Sequence, residues 1–75
     1  MITAEEIKDI LTKKFLDAQI VVTDLTGTND HYEVRMMWPG FQGKGLIEQH
    51  QMVNRALKDR LEDGSIHALS IRTMV

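Results

Sequence analysis

Of the side chains in this 75-residue sequence, three histidines, His31, His50 and His67, are best suited to metal or proton chemistry. Neutral imidazole nitrogen ligates zinc, copper and iron. The chain has no cysteine, so alone it offers no thiolate nucleophile, no disulfide and no cysteine-based zinc or iron-sulfur site. His31 and His67 each stand at the start of a strand-like segment. If those strands lie side by side and parallel, two imidazoles meet at one end of a sheet. Two ligands do not close a structural zinc site, and no His-x-x-x-His or Cys-x-x-Cys spacing supplies the others. Taken alone, the residues favour strand-end histidines making ordinary hydrogen bonds, with metal ligation as the second reading.

His50 falls on an apolar helical stripe. It reads as a structural core histidine, its ring nitrogens satisfied by a backbone carbonyl or the Tyr32 hydroxyl. Gly40-Phe41-Gln42-Gly43 has the GxxG form with which KH domains clamp a nucleic-acid backbone. Its central residues are not basic, so a turn with Phe41 as a packed structural anchor is the simpler reading. Were it a nucleic-acid site, Gly40, Gly43, Lys44 and Arg55 would form it. Met36, Met37 and Trp38 read as core filler before a partner surface. Asp24, Asp30 and Glu33 pair with no nucleophile and read as surface carboxylates; Ser65 and Ser70 have no motif around them. No catalytic set emerges, and an enzyme is not expected.

The elements that must position these residues can be read in order. Thr3 and Glu6 have the spacing of a capping box, and Ile2 and Ile7 that of a hydrophobic staple. They predict a helix whose face is Ile7, Ile10, Leu11 and Phe15, ending near Ala18. A β-branched run predicts a strand over 19–25, and Thr26 to Asp30 form the turn. A second strand starts near His31, with Tyr32, Val34 and Met36 on one face and Glu33 and Arg35 on the other. Trp38 to Gly45, with one proline and three glycines, ends it. A second helix is predicted over 46–62, with Leu46, His50, Val53, Leu57 and Leu61 on its stripe and Gly64 as its cap. Ile66 to about Thr73 forms the last strand. Helix-strand-strand-helix-strand implies an α+β fold. Its three-stranded mixed sheet has its first pair antiparallel and its last pair joined by a parallel, right-handed crossover, with the helices on one face.

Composition bounds the function. Residues 1–75 suffice for a single domain with one core and little room for an enclosed polar pocket. Nine basic and eleven acidic residues give a net charge of −2 with no run of like charge, and nucleic-acid binding normally needs a clustered basic field. No apolar stretch approaches the roughly 20 residues of a membrane span, and the acidic N-terminal segment is unlike a targeting peptide. The cytoplasm is the default compartment.

Three separated motifs then converge: Phe41-Gln42-Gly43-Lys44, His50 with Val53-Asn54 and Leu57, and Ile66-His67-Ala68-Leu69. With His31-Tyr32-Glu33-Val34, they resemble the BolA family over nearly the whole chain. The resemblance implies a KH-like fold of the second class and an adaptor role in iron-sulfur trafficking or iron signalling. It also implies a monothiol glutaredoxin partner, with which such proteins share a bridging [2Fe-2S] cluster. In the family the histidine opening the last strand, and a histidine or cysteine before the second strand, are the candidate ligands. These map onto His67 and His31, which reverses the preference drawn from the residues alone. The glutaredoxin cysteine and its bound glutathione would complete the ligand set. Imidazole is protonatable, so such a cluster is expected to be labile in mild acid. The alternative is a KH-like nucleic-acid-binding transcription regulator, which Gln49 and Gln51 weaken by standing where relatives commonly carry arginines.

Overall fold

The computed structural model describes residues 2–27 and 30–75. The order is α1 (Ala4–Lys14), β1 (Gln19–Asp24), β2 (His31–Met37), a 3-10 turn (Pro39–Phe41), α2 (Leu46–Ala56), α3 (Lys58–Glu62) and β3 (Ala68–Met74). The strands form one sheet in the order β1-β2-β3. β1 and β2 are antiparallel, from Gln19 opposite Met37 to Asp24 opposite Tyr32. β2 and β3 are parallel, from His31 opposite Ala68 to Met37 opposite Met74. The α+β architecture and mixed sheet are those the sequence predicts.

Thr3 caps the helix, its hydroxyl accepting from the Glu6 amide at 3.1 Å and lying 3.3 Å from the Glu6 carboxylate. Ile2 and Ile7 are fully buried behind it, as a staple requires. Alternation along β2 works as expected, because Tyr32, Val34 and Met36 are fully buried under the helices while Glu33 and Arg35 lie on the open face and pair with each other at 2.8 Å. No helix of the described residues is long and apolar enough to cross a membrane.

Three boundaries differ from expectation. The first helix stops at Lys14 rather than near Ala18: Phe15 leaves helical geometry (φ −123°, ψ 83°) and turns into the core. Asp17 then takes a left-handed conformation (φ 69°), which Asp tolerates better than most residues. The second helix is two helices. At Leu57 (φ −106°, ψ 13°) the amide is shared between the Val53 and Asn54 carbonyls, and the chain bends so that Leu57 stays buried. β3 begins at Ala68, not Ile66. The Ile66 amide bonds back to the Arg60 carbonyl at 3.1 Å, so Ile66 packs into the core without joining the ladder.

Candidate metal-ligating site

The histidine end of the sheet is organised by Asp30. Its backbone carbonyl accepts from the amides of His67 (2.8 Å) and Ala68 (3.2 Å), pinning the entry of β3 to the entry of β2. The turn that delivers Asp30 is itself held locally. The Asp24 carboxylate accepts from the amides of Thr26 and Gly27, an Asx-type turn, and Gly27 takes a positive φ of 74°. The Thr26 hydroxyl donates to Asp30 Oδ1 at 3.1 Å. Thr28 and Asn29, within the predicted turn, lie outside the described residues.

The Asp30 carboxylate meets both imidazoles. His31 Nδ1 lies 2.8 Å from Oδ1 and His67 Nδ1 lies 3.6 Å from Oδ2. The first is a hydrogen bond; the second is an electrostatic contact. The rings stand 6.4 Å apart, nearly perpendicular at 84°. An ionised carboxylate only accepts, so a neutral His31 beside it carries its proton on Nδ1, which leaves the Nε2 lone pair on the far side of the ring. A carboxylate behind the imidazole is the arrangement that orients metal-ligating histidines and raises their basicity. His67, with its side chain 63% exposed, is the more accessible of the two. Among the described residues no three His, Cys, Asp or Glu side chains are grouped to hold a metal ion by themselves, so any centre here needs ligands from elsewhere.

Asp30 is the residue that sequence reasoning missed, having been read as a surface carboxylate. Its signal is its place immediately before His31, but that becomes informative only once the register sets His31 opposite Ala68. Beneath the site, burial first, then the charges of Asp24, Asp30 and Glu6, push the Tyr32 phenol above its usual range. Its hydroxyl donates to the Ile2 carbonyl.

His50 does not join this site and is not in the core. It is half-buried and lines an open groove of about 550 Å³ with Arg35, Leu46, Ile71, Arg72, Thr73 and Met74. The Tyr32 hydroxyl suggested as its partner donates to the Ile2 carbonyl instead. The core-facing place on α2 belongs to Gln49, one position earlier. Its amide nitrogen donates to the Lys44 carbonyl at 2.8 Å, and its oxygen accepts from the Thr73 hydroxyl. Val53 and Leu57 are buried as expected, but one turn before Val53 the inward position is Gln49, and Leu46 is 62% exposed, so the stripe departs from the expected one only at the start of α2.

The residues of the nucleic-acid alternative are not gathered into one patch. Gly40 is required by packing, since a Cβ there would collide with the Trp38 ring. Gly43 is required by its φ of 82°. Phe41 between them is fully buried, against Trp38 at 5.0 Å and Phe15 at 6.1 Å, as the anchor reading expects. Lys44, before α2, pairs with Glu48 at 3.6 Å. Arg55 sits in the last turn of that helix, about 13 Å along its axis from Leu46 at 1.5 Å per residue.

Comparison with known proteins follows the same line as the motifs. Residues 6–75 match the BolA family model, described as BolA-like protein. The chain is 41% identical over 73 residues to the uncharacterized protein RP812 of Rickettsia prowazekii, covering 97% of this chain and 94% of that one. It is 38% identical over 73 residues to the protein BOLA2 of Arabidopsis thaliana, covering 96% and 76%. Among solved structures it is similar to BolA1 from Arabidopsis thaliana, with a TM-score of 0.85 at 28% identity over 95% of this chain and 88% of that one.

Proposed function

The chain belongs to the BolA family, and on that premise we propose that it is an iron-sulfur adaptor rather than an enzyme. In this reading it pairs with a monothiol glutaredoxin, shares a bridging [2Fe-2S] cluster with it and with glutathione, and serves cluster trafficking or iron signalling. The observation that carries the reading is the Asp30 carboxylate set against both His31 and His67, with their Nε2 atoms free of protein partners among the described residues.

The donor set suits that role. A [2Fe-2S] cluster takes four ligands, and this chain supplies at most two imidazoles and no thiolate, so a shared centre is the arrangement its chemistry fits. His67 is the principal ligand and His31 the second. When bound, imidazole in place of thiolate removes negative charge beside iron and raises the reduction potential. Asp30 hydrogen-bonds the His31 ring and lies 3.6 Å from that of His67, which favours ring orientations that present Nε2. Nucleic-acid binding has less support, because Lys44 is paired and Arg55 stands at the far end of its helix.

Reconstitution tests the proposal. This protein and a monothiol glutaredoxin, mixed with iron, sulfide and glutathione, are expected to give a coloured complex whose visible spectrum changes with His67→Ala. A complex and spectrum indifferent to both His67→Ala and His31→Ala would remove the ligand assignment.

A further inference from the structure

β3 lies at the edge of the sheet, and its unpaired side can be read from its hydrogen bonds. The Met74 carbonyl accepts from the Trp38 amide at 3.0 Å, and the Ala68 amide donates to the Asp30 carbonyl at 3.2 Å, both towards β2. Peptide groups alternate in direction along a strand, so Ala68, Ser70, Arg72 and Met74 turn theirs towards β2. Leu69, Ile71 and Thr73 turn theirs outwards, as an edge open to pairing. Beside Ile71 and Thr73 lies the groove of about 550 Å³. α2 contributes Leu46 and His50 to one wall; Arg35, Arg72 and Met74 from the open face form the other.

The charge of this groove is one-sided. Its lining includes two guanidinium groups and no carboxylate. Both arginines touch Glu33, through Nε at 2.8 Å and 3.4 Å, but one carboxylate leaves a positive surplus. Their side chains are 59% and 69% exposed. We infer that the outer edge of β3 accepts an extended acidic peptide as a fourth strand. Its backbone pairs with Ile71 and Thr73; one set of alternate side chains places carboxylates against Arg72 and Arg35, and the other lays apolar groups against Leu46. This is strand addition, in which the ladder supplies affinity and alternate side chains supply specificity. A second copy of this chain is a poorer occupant, because joining two β3 edges would bring together four of these guanidinium groups and only two Glu33 carboxylates. The site lies at the opposite end of β3 from His67 and is independent of the cluster proposal.

The test is a titration of the isotopically labelled full chain with an acetylated, amidated octapeptide of alternating Glu and Val, followed by amide chemical shifts. The expected result is that the largest shifts fall on Leu69, Ile71 and Thr73. Affinity should drop about tenfold or more in Arg72→Glu and recover in that variant with the Lys-Val counterpart. Arg72→Gln, with an intermediate loss, guards against a folding artefact, and His67→Ala should bind as the parent does. N-methylation of every second peptide nitrogen should abolish binding. Equal binding of the N-methylated peptide, or shifts confined to another surface, would overturn strand addition. Shifts at the same amides on concentrating the protein alone, or with oligothymidine but not the peptide, would overturn the acidic peptide in favour of a second copy or a nucleic acid.

Discussion

At the end of the sheet where β2 and β3 begin, Asp30, His31 and His67 are joined near the surface by one carboxylate and one backbone carbonyl. At the opposite end Phe15, Trp38 and Phe41 meet ring on ring at 5.0–6.1 Å, and the Trp38 indole donates to the Leu16 carbonyl at 2.9 Å. The aromatic end removes apolar surface from water and so contributes to stability. The histidine end leaves its rings partly in water, where polar contacts add little to folding but fix orientation. In a domain too small to spare stability, this separation lets the exposed end be specialised without putting the fold at risk.

The strongest way to break that contrast is Phe41→Ala. Removing a fully buried phenylalanine costs about 3–5 kcal/mol, which is comparable to the whole stability of a domain this small. Urea denaturation should show a largely unfolded variant; a midpoint close to the parent's would mean that the aromatic end does not carry the fold.

A smaller effect is expected from Gln49→Leu, which leaves the Lys44 carbonyl and the Thr73 hydroxyl without their partner. The cost is about 1–3 kcal/mol. Adding Thr73→Val should recover part of it, because removing both members of a buried polar pair costs less than orphaning one. Strict additivity of the two changes would show that Gln49 does not tie α2 to β3.

Tyr32, at the histidine end, makes stability depend on pH. Burial, then the nearby carboxylates, raise its phenol above the ordinary value of 10.0, so the folded chain holds this proton more tightly than the unfolded chain. The stabilisation is fully present below about pH 10 and is lost as the unfolded phenol ionises above it. Stability should therefore decline on the alkaline side, more steeply in the parent than in Tyr32→Phe. Equal slopes for the two in urea denaturation up to about pH 11 would remove this linkage.

The same division explains what could be read from the sequence. The cap at Thr3, the staple at Ile2 and the alternation of Tyr32, Val34 and Met36 are local patterns, and the structure keeps them. On α2 the burial of Val53 and Leu57 was legible, but the first turn was misread because Gln49 looks polar in sequence. It is buried only because the turn before α2 and Thr73 offer it partners. The bend at Leu57 goes with an amide shared between the Val53 and Asn54 carbonyls, and the late start of β3 with the Ile66 amide reaching the Arg60 carbonyl; no spacing announces either. At the candidate site, strand direction was enough to bring His31 and His67 together. Asp30 escaped notice because its role rests on a contact across 37 positions of sequence, from Asp30 to His67.

The smallest expected effect on stability is also the sharpest test of the contrast. His67 is largely exposed, and its carboxylate contact at 3.6 Å is an accessible ion pair at most, so His67→Ala should shift the folding free energy by no more than about 0.5 kcal/mol. If the cluster proposal holds, the same variant alters the visible spectrum of the reconstituted complex. A loss above about 1 kcal/mol in urea denaturation would show His67 to be part of the structural framework. Any spectral change would then trace to a damaged fold, and the two ends of the sheet would no longer differ in kind. Unchanged stability with a changed spectrum would place the function of His67 outside the energetics of folding, where the exposed geometry around Asp30 puts it.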